Sequence, residues 1–287
     1  MLFSVIVAFL NEEQYIEQCI KSLVRQDFSR SEYELIFVNN GSTDASAEIV
    51  SHFPEISLIQ ENKKGAYAAR NRGLKEARGE IIAFTDADCA VSKNWLMQIY
   101  QGMQRTCATI VLGRCCFPSH IPLSLQMFED YENAKLAYVL QNCAKKYFFA
   151  GNGNMAVKRI AFEQHGYFLP WIRGADTEFL QRCIARQNDL KVVYLNEMKI
   201  VHLEINNINA WFKKINLYGQ HNRRVQKMCD YAPLDFNTKL QIFKSCAKNN
   251  YSFWQNILFF FLLIIGNIEY LLGMISGRPL LAEKYDI

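Results

Sequence analysis

A chain of 287 residues that is 50% hydrophobic is long enough for one large core, alone or with a small appendage. Its net charge of +4 is unevenly spread: residues 205 to 250 hold eight Lys/Arg against Asp230 and Asp235, which leaves the rest of the chain slightly acidic. Nine cysteines, scattered, odd in number and including the adjacent Cys115 and Cys116 without any Cys-x-x-Cys, argue against a disulfide framework or a zinc site and for a reducing compartment.

Met1 to Leu10 is apolar but lacks a basic leading segment and runs into Asn11-Glu12-Glu13. It therefore predicts a first strand over Phe3–Phe9 rather than a signal peptide, and a mature chain that starts inside the cell. Asn11 is expected to cap a helix whose apolar face is Ile16, Ile20, Leu23 and Val24. Tyr33 to Val38 predicts a second strand, and the turn from Asn39 to Asp44 follows, with Ser42 or Asp44 placed to cap the next helix. Ile56 to Ile59 predicts a third short strand, then comes a helix, then an apolar strand from Ile81 that ends in Asp86 and Asp88. Strand-helix-strand units of this length imply a parallel sheet with helices on both faces and right-handed crossovers. No repeat of 20 to 50 residues and no low-complexity stretch is visible.

The strand ends of such a sheet are where ligands collect. If Asp86 and Asp88 lie on extended backbone they point to the same side and together address one hard cation and an anionic ligand such as a diphosphate; a solvated acidic turn is the bland alternative. Asn39, Asn40 and Gly41 offer amide donors and acceptors to a base edge, or only the chemistry of a turn. Arg70 is placed to lie along a nucleotide, and Arg72 reads as a surface charge. Phe148 to Asn154 puts two glycines and two asparagines after an aromatic pair, a composition that suits close backbone approach to a sugar or forms a plain loop. Asp176 opens a predicted helix through Phe179, Leu180 and Cys183, where capping alone would account for it, and Glu178 can orient Arg182 one turn on.

Six segments stand in one order: Ser4 to Glu13, Val38 to Asp44, Lys64-Gly65-Ala66-Tyr67-Ala68-Ala69-Arg70-Asn71, Asp86-Ala87-Asp88, Gly151-Asn152-Gly153-Asn154-Met155, and Gly174-Ala175-Asp176-Thr177-Glu178. Together they resemble the family 2 glycosyltransferases over residues 2 to about 225. The resemblance implies an α/β GT-A fold, a Rossmann-like, mostly parallel sheet flanked by helices, with a catalytic domain over 1–225 and a helical, hydrophobic C-terminal region over 226–287. It implies an inverting enzyme that moves a sugar from a nucleotide-diphosphate sugar to a glycan or lipid-linked acceptor, as in surface polysaccharide assembly. By the same resemblance Phe9, Asn11, Glu12, Asn40, Gly41, Ser42, Arg70, Asp86, Ala87, Gly153 and Asn154 bind the nucleotide sugar. Asp88 holds Mg²⁺ or Mn²⁺, with His202 near the metal or diphosphate, and Asp176 is the catalytic base, with Glu178 as its substitute. The family more often carries an acid where Asn40 stands, which leaves the base identity open. His221, Arg223 and Arg224 are further candidates for a diphosphate or for lipid headgroups.

In the tail, the uninterrupted apolar run from Ile257 to Ile265 is short of the roughly 20 residues that span a bilayer, and Asn267 and Glu269 interrupt the longer stretch from Phe253 to Gly277. An in-plane or re-entrant membrane helix is expected, with the basic stretch before it on anionic headgroups, against a buried helix or a dimer contact. The expected location is the cytoplasm, at the inner face of the cell membrane, with no nucleic-acid partner. A nucleotidyltransferase would want a glycine-rich basic loop after the first strand, where this chain has Asn-Glu-Glu, and neither a dinucleotide fingerprint nor a P-loop is present. A non-catalytic binding protein on the same scaffold is the rival reading, and the three aspartates at 86, 88 and 176 argue against it.

Overall fold

β-Branched and aromatic residues crowd Phe3–Phe9, and this run forms β1, almost wholly buried as a central strand must be. The computed structural model describes residues 1–170 and 174–276. After β1 the chain passes through α1 (Ile16–Val24), β2 (Tyr33–Asn39), α2 (Ser46–Ser51), β3 (Ile56–Gln60), α3 (Ala66–Glu76), β4 (Ile81–Thr85), β5 (Cys89–Val91), α4 (Trp95–Thr106) and β6 (Ile110–Cys116). It continues through α5 (Leu123–Asn142), β7 (Asn154–Lys158), α6 (Arg159–His165), α7 (Ala175–Arg186), β8 (Val192–His202), α8 (Ile208–Val225), α9 (Phe236–Asn250) and α10 (Phe253–Ser276).

Eight strands make one sheet in the order β3-β2-β1-β4-β7-β6-β8-β5. The expected parallel set holds for β3, β2, β1 and β4. The other half is mixed: β7 runs antiparallel to β4 and β6, and β5 antiparallel to β8. Only residues 86–88 separate β4 from β5, far too few for a helical crossover, so β5 cannot join the parallel set beside β4 and pairs with the end of β8 instead.

Helices cover both faces, as the alternation of β1 and β4 side chains requires. On one face Phe3, Val5, Val7 and Phe9 pack with Ile16, Cys19, Ile20 and Leu23 of α1 and with Trp95, Leu96, Ile99 and Met103 of α4, while Val24 is partly buried against them. On the other, Phe84 meets Phe162 of α6 and Phe168 edge to face, and Phe162 stacks on Phe179 of α7 at 4.5 Å.

Two compact units result, one holding the whole sheet (1–116 and 149–204), the other holding 117–148 and the chain from Ile205 onward. This division differs from the boundary expected at residue 225. The cause is α5, which comes from mid-chain but shares an apolar cluster with the tail: Met127 and Tyr131 pack with Ile242 and Cys246 of α9 and with Phe259 of α10.

Within the second unit α8 and α10 cross almost backbone to backbone. A Cβ on Gly273 would lie 2.0 Å from the Asn216 carbonyl oxygen, and one on Gly219 would lie 2.0 Å from that of Tyr270. Small residues permit such a crossing and nothing larger fits without driving the helices apart. Gly273→Leu is therefore expected to destabilise this unit by about 3 kcal/mol or more, beyond ordinary overpacking because rigid backbone cannot yield, whereas Leu272→Ala on the exposed side costs little. Paired thermal melts of the two variants check this, and equal melting temperatures would refute it.

The interruptions expected at Asn267 and Glu269 do not break α10, which is one helix of 24 residues, about 36 Å long. Both side chains are met inside the unit: Asn267 Oδ1 accepts from Lys239 Nζ at 2.8 Å, and Glu269 Oε2 accepts from Asn216 Nδ2 at 3.4 Å. Gly277, the end of the expected segment, lies outside the described residues.

Candidate active site

At the carboxyl ends of β1 and β2 two loops are laced together by side chains that cap each other's backbone. Asn11 takes a left-handed φ of 57° and does not cap α1, which starts at Ile16 with no side-chain cap. Its Oδ1 instead accepts from Thr43 N at 2.8 Å, while Ser42 Oγ accepts from Asn11 N at 3.1 Å. Asp44 Oδ1 accepts from Ser46 N at 3.0 Å at the start of α2, and its other oxygen takes Glu13 N. Asn40 hands both amide hydrogens to the carbonyls of Glu61 and Lys63, at 3.0 and 2.8 Å, and its Oδ1 accepts from Gly65 N at 2.7 Å. Expected at a base edge, Asn40 thus braces the 61–65 loop, and one lone pair of Oδ1 is what it retains for a ligand. Gly41, in the left-handed region at φ 88°, has open space beside it. Phe9 and Ala87 belong to the hydrophobic core, so a ligand can meet their backbone but not their side chains.

Asp86 and Asp88 do not lie on extended backbone. They sit in a tight turn closed by Cys89 N donating to Asp86 O at 3.1 Å, and the two carboxylates face different partners as a result. Asp86 Oδ1 accepts from Arg70 Nη2 at 2.5 Å, and Arg70, buried, lies over the Tyr67 ring at 5.1 Å. Burial works against the guanidinium charge, but Asp86, Tyr67 and Asp176 outweigh it and raise its pKa. Arg70 is in consequence a fixed counter-charge for Asp86, with Arg72 on the surface paired to Glu76 at 2.6 Å. Gly153 completes this corner, since a Cβ there would come within 3.1 Å of Asp86 Oδ2.

Asp88 turns toward β8. Its Oδ2 lies 3.4 Å from Nε2 of His202, the last residue of that strand, and Leu203 N donates to its carbonyl at 2.8 Å. Asp88, Cys89 and His202 each present a ligand atom, and these atoms lie within 4.8 Å of one another, a spacing one cation can bridge. The surroundings call for positive charge: burial first, then Asp88, Glu204, Asp86 and Asp44, push the Glu12 carboxyl up to about 7. The residues present therefore fit a divalent ion. Nothing in the sequence marked Cys89 beyond its place directly after the two aspartates.

Asp176 is the second residue of α7, after Gly174 in the left-handed conformation, and is buried. Its Oδ1 accepts from Thr177 N at 2.8 Å, its Oδ2 from Asn152 N at 3.1 Å, and the Tyr67 hydroxyl bonds the same carboxylate. Burial raises its pKa, and Thr177 N–H, Tyr67, Arg70 and Asn152 N–H offset part of the rise. Thr177 exchanges hydrogen bonds with the backbone of Ala150, which fixes the 150–154 loop to the helix start. Glu178 is taken up by a two-pronged pair with Arg182, at 2.8 and 3.0 Å, the orienting role foreseen for it. Asn154, expected on the sugar, spends its amide on the frame: Nδ2 donates to Arg114 O and Met198 O, and Oδ1 accepts from Trp95 Nε1. Its neighbour Asn152, given no role by the sequence, has both side-chain polar atoms buried without a hydrogen-bond partner. A chain of contacts from Asp86 through Arg70 and Tyr67 to Asp176 links the acidic turn to this buried carboxylate. His221, Arg223 and Arg224 lie on α8 in the other unit, where Arg223 donates to the Met274 carbonyl at 2.8 Å at the end of α10.

The chain is similar to known proteins. Among curated relatives, glycosyltransferase AglE of Haloferax volcanii is 31% identical over 186 residues, 62% of this chain and 60% of AglE. Glycosyltransferase GlyG of Streptococcus pneumoniae is 37% identical over 117 residues, 39% of this chain and 38% of GlyG, so the chain spans less than two thirds of either relative. Among solved structures, the mannosyltransferase PcManGT of Pyrobaculum calidifontis, in complex with GDP-Man and Mn²⁺, superposes with a TM-score of 0.70 at 17% identity, covering 96% of this chain and 88% of that one. Residues 1–349 of Staphylococcus aureus TarS with UDP-GlcNAc give a TM-score of 0.59 at 19% identity over 94% of this chain and 82% of that one. At such identities the likeness establishes the fold, which is GT-A. The model of the family described as glycosyl transferase family 2 matches residues 4–166, more than half of the chain, and it covers the turns that carry Asn40, Asp86 and Asp88 and the helix α3 that carries Arg70; the chain belongs to that family.

Proposed function

We propose that the chain is an inverting, metal-dependent transferase that uses a nucleotide-diphosphate sugar and delivers the sugar to a hydroxyl of a glycan or lipid-linked acceptor in surface polysaccharide assembly. The observation that carries this reading is Asp176, a buried carboxylate held in place by three donors and joined by Arg70 and Tyr67 to the Asp86–Asp88 turn. A buried carboxyl with a raised pKa is a better proton acceptor than an exposed one, which suits a base that takes the acceptor hydroxyl proton as that oxygen attacks the anomeric carbon opposite the leaving diphosphate. Single displacement on that line inverts the anomeric centre. Asp88 and His202 would hold Mg²⁺ or Mn²⁺, and such an ion supplies neutralisation of the charge that develops on a nucleoside diphosphate leaving group. Asp86, Gly153 and the backbone of 39–42 would bound the donor, with Asn11, Glu12 and Ser42 fixing the first loop. The nucleotide sugars in the PcManGT and TarS complexes support this class of donor. Titration of the purified chain with UDP, GDP and dTDP, each with and without Mn²⁺, tests it: one nucleotide is expected to bind only with the metal. The anomeric configuration of the product, read by NMR, is expected to be opposite to the donor's, and a retained configuration would exclude this mechanism.

The same reading places the enzyme at the cytoplasmic face of a membrane. On α10 the side chains of Phe253, Trp254, Phe261, Ile268, Leu271 and Ile275 are more than half exposed. With Asn267 and Glu269 turned inward, that surface is apolar along its length, and α8, which packs against α10, carries Lys213 and Lys214, which would meet anionic headgroups. The seat would bring a lipid-linked acceptor to the enzyme. In flotation assays the chain is expected to rise with vesicles containing anionic lipid, and Trp254→Glu with Phe261→Glu to lower the bound fraction severalfold; flotation unaffected by the double change would refute the seat.

A further inference from the structure

We propose that Cys89 is a third protein ligand of the cation site, so that the ion is held through a carboxylate, an imidazole and a thiolate. This rests on the assignment of that ion to Asp88 and His202 above, and the test below separates the two.

Cys89 is the first residue of β5 and pairs in register with His202, the last residue of β8. Directly opposed residues of antiparallel strands project from the same face of the sheet, so the thiol and the imidazole are brought together by the ladder itself. Cys89 Sγ stands 3.4 Å from Asp88 Oδ1, and His202 Nε2 stands 3.4 Å from the other oxygen of the same carboxylate. Metal–sulfur and metal–nitrogen bonds of about 2.0 to 2.3 Å place neighbouring ligands roughly 3 to 4 Å apart, and the three atoms here already lie within 4.8 Å of one another. Cys89 is fully buried, so its sulfur faces the carboxylate and not bulk water. When a cation enters, the metal–sulfur bond forms as the S–H bond breaks, and the proton leaves to solvent with no change of oxidation state.

The consequence is selectivity. A site of oxygen donors alone favours Mg²⁺, whereas one that adds imidazole and thiolate shifts toward Co²⁺, Zn²⁺ and Cd²⁺, with Mn²⁺ between the two groups. Cysteine spacing along the chain gave no hint of such a site, because residues 88 and 89 meet residue 202 only through the β5–β8 ladder. Cys19 is the natural control: it is also buried beside the turn, but its Sγ meets the backbone carbonyl of Asp86, at 3.5 Å.

Cobalt titration of the full chain tests the proposal. Wild type and Cys19→Ser are expected to show visible ligand-field bands together with a near-ultraviolet sulfur-to-cobalt charge-transfer band. Cys89→Ser should lose the charge-transfer band and roughly 10- to 100-fold in Cd²⁺ affinity, while its Mg²⁺ affinity moves by less than about threefold. Ligand-field bands without charge transfer in the wild type would overturn the thiolate while leaving the cation site standing, and this outcome does not depend on any variant folding. A charge-transfer band that persists in Cys89→Ser would overturn it equally. Absence of any cobalt spectrum in the wild type would remove the cation assignment itself, and Cys89 with it.

Discussion

Asp176→Asn is expected to leave nucleotide binding unchanged and to lower the transfer rate by about 10²- to 10⁴-fold, the usual worth of a positioned general base. The substitution is close to isosteric, and the single amide oxygen keeps the bond from either Thr177 N or Asn152 N, while the other N–H faces the amide nitrogen and loses its acceptor; the variant should therefore fold with a modest loss of stability. What is lost is proton affinity. In the wild type the rate should rise with pH as Asp176 loses its proton, on a limb displaced above the ordinary carboxylate range by burial. Tyr67→Phe supplies the finer test: the hydroxyl that bonds the carboxylate lowers its pKa, so removing it should move that limb to higher pH without abolishing the reaction. Transfer by Asp176→Asn at the wild-type rate would take the proton-accepting role away from this residue.

The first three strands were legible to within a residue: the buried β1 and β2 are written as continuous apolar runs, Phe3–Phe9 being read as found and Tyr33–Val38 gaining one residue, and the more exposed edge strand Ile56–Ile59 also gained one. Polar side chains were read less well, since an amide's partners are often backbone groups that leave no trace in sequence. Asn40 and Asn154 have the composition of ligand-binding residues, yet the carbonyls of Glu61, Lys63, Arg114 and Met198 take their amide hydrogens. Asn11 has the composition of a cap, yet Thr43, 32 positions along the chain, claims its oxygen. The paired aspartates were expected on extended backbone, and the turn that holds them reflects the short link to β5, a consequence of topology and not of local propensity. Asp176 is not the cap of α7, a place Gly174 takes: it lies in the first turn, where one carboxylate oxygen bonds the N–H of the next residue while the group as a whole is buried and held from the loop.

The acidic corner has a further consequence that connects stability with function. In metal-free protein the folded-state pKa of Glu12 lies at about 7 against 4.5 for the ordinary group, so the folded chain holds a proton that the unfolded chain has released. Stability tied to this group is therefore undiminished below about pH 4.5 and falls as pH rises toward about 7. Part of that shift comes from Asp88, second only to burial among its causes. Asp88→Asn should accordingly flatten the decline and leave the metal-free protein at neutral pH no less stable than the wild type, although a polar, nearly buried group has been changed. With Mn²⁺ and nucleotide the order should reverse. At 100 times the dissociation constant the wild type gains about 2.7 kcal/mol from binding, whereas the variant, lacking the carboxylate that would hold the ion, should gain almost none. Thermal melts of both proteins at about pH 5 and about pH 8, with and without Mn²⁺ and nucleotide, separate these effects. A large loss of stability in metal-free Asp88→Asn would show that Asp88 is retained for the fold, and a wild-type shift with the ligands would show that the cation is held elsewhere.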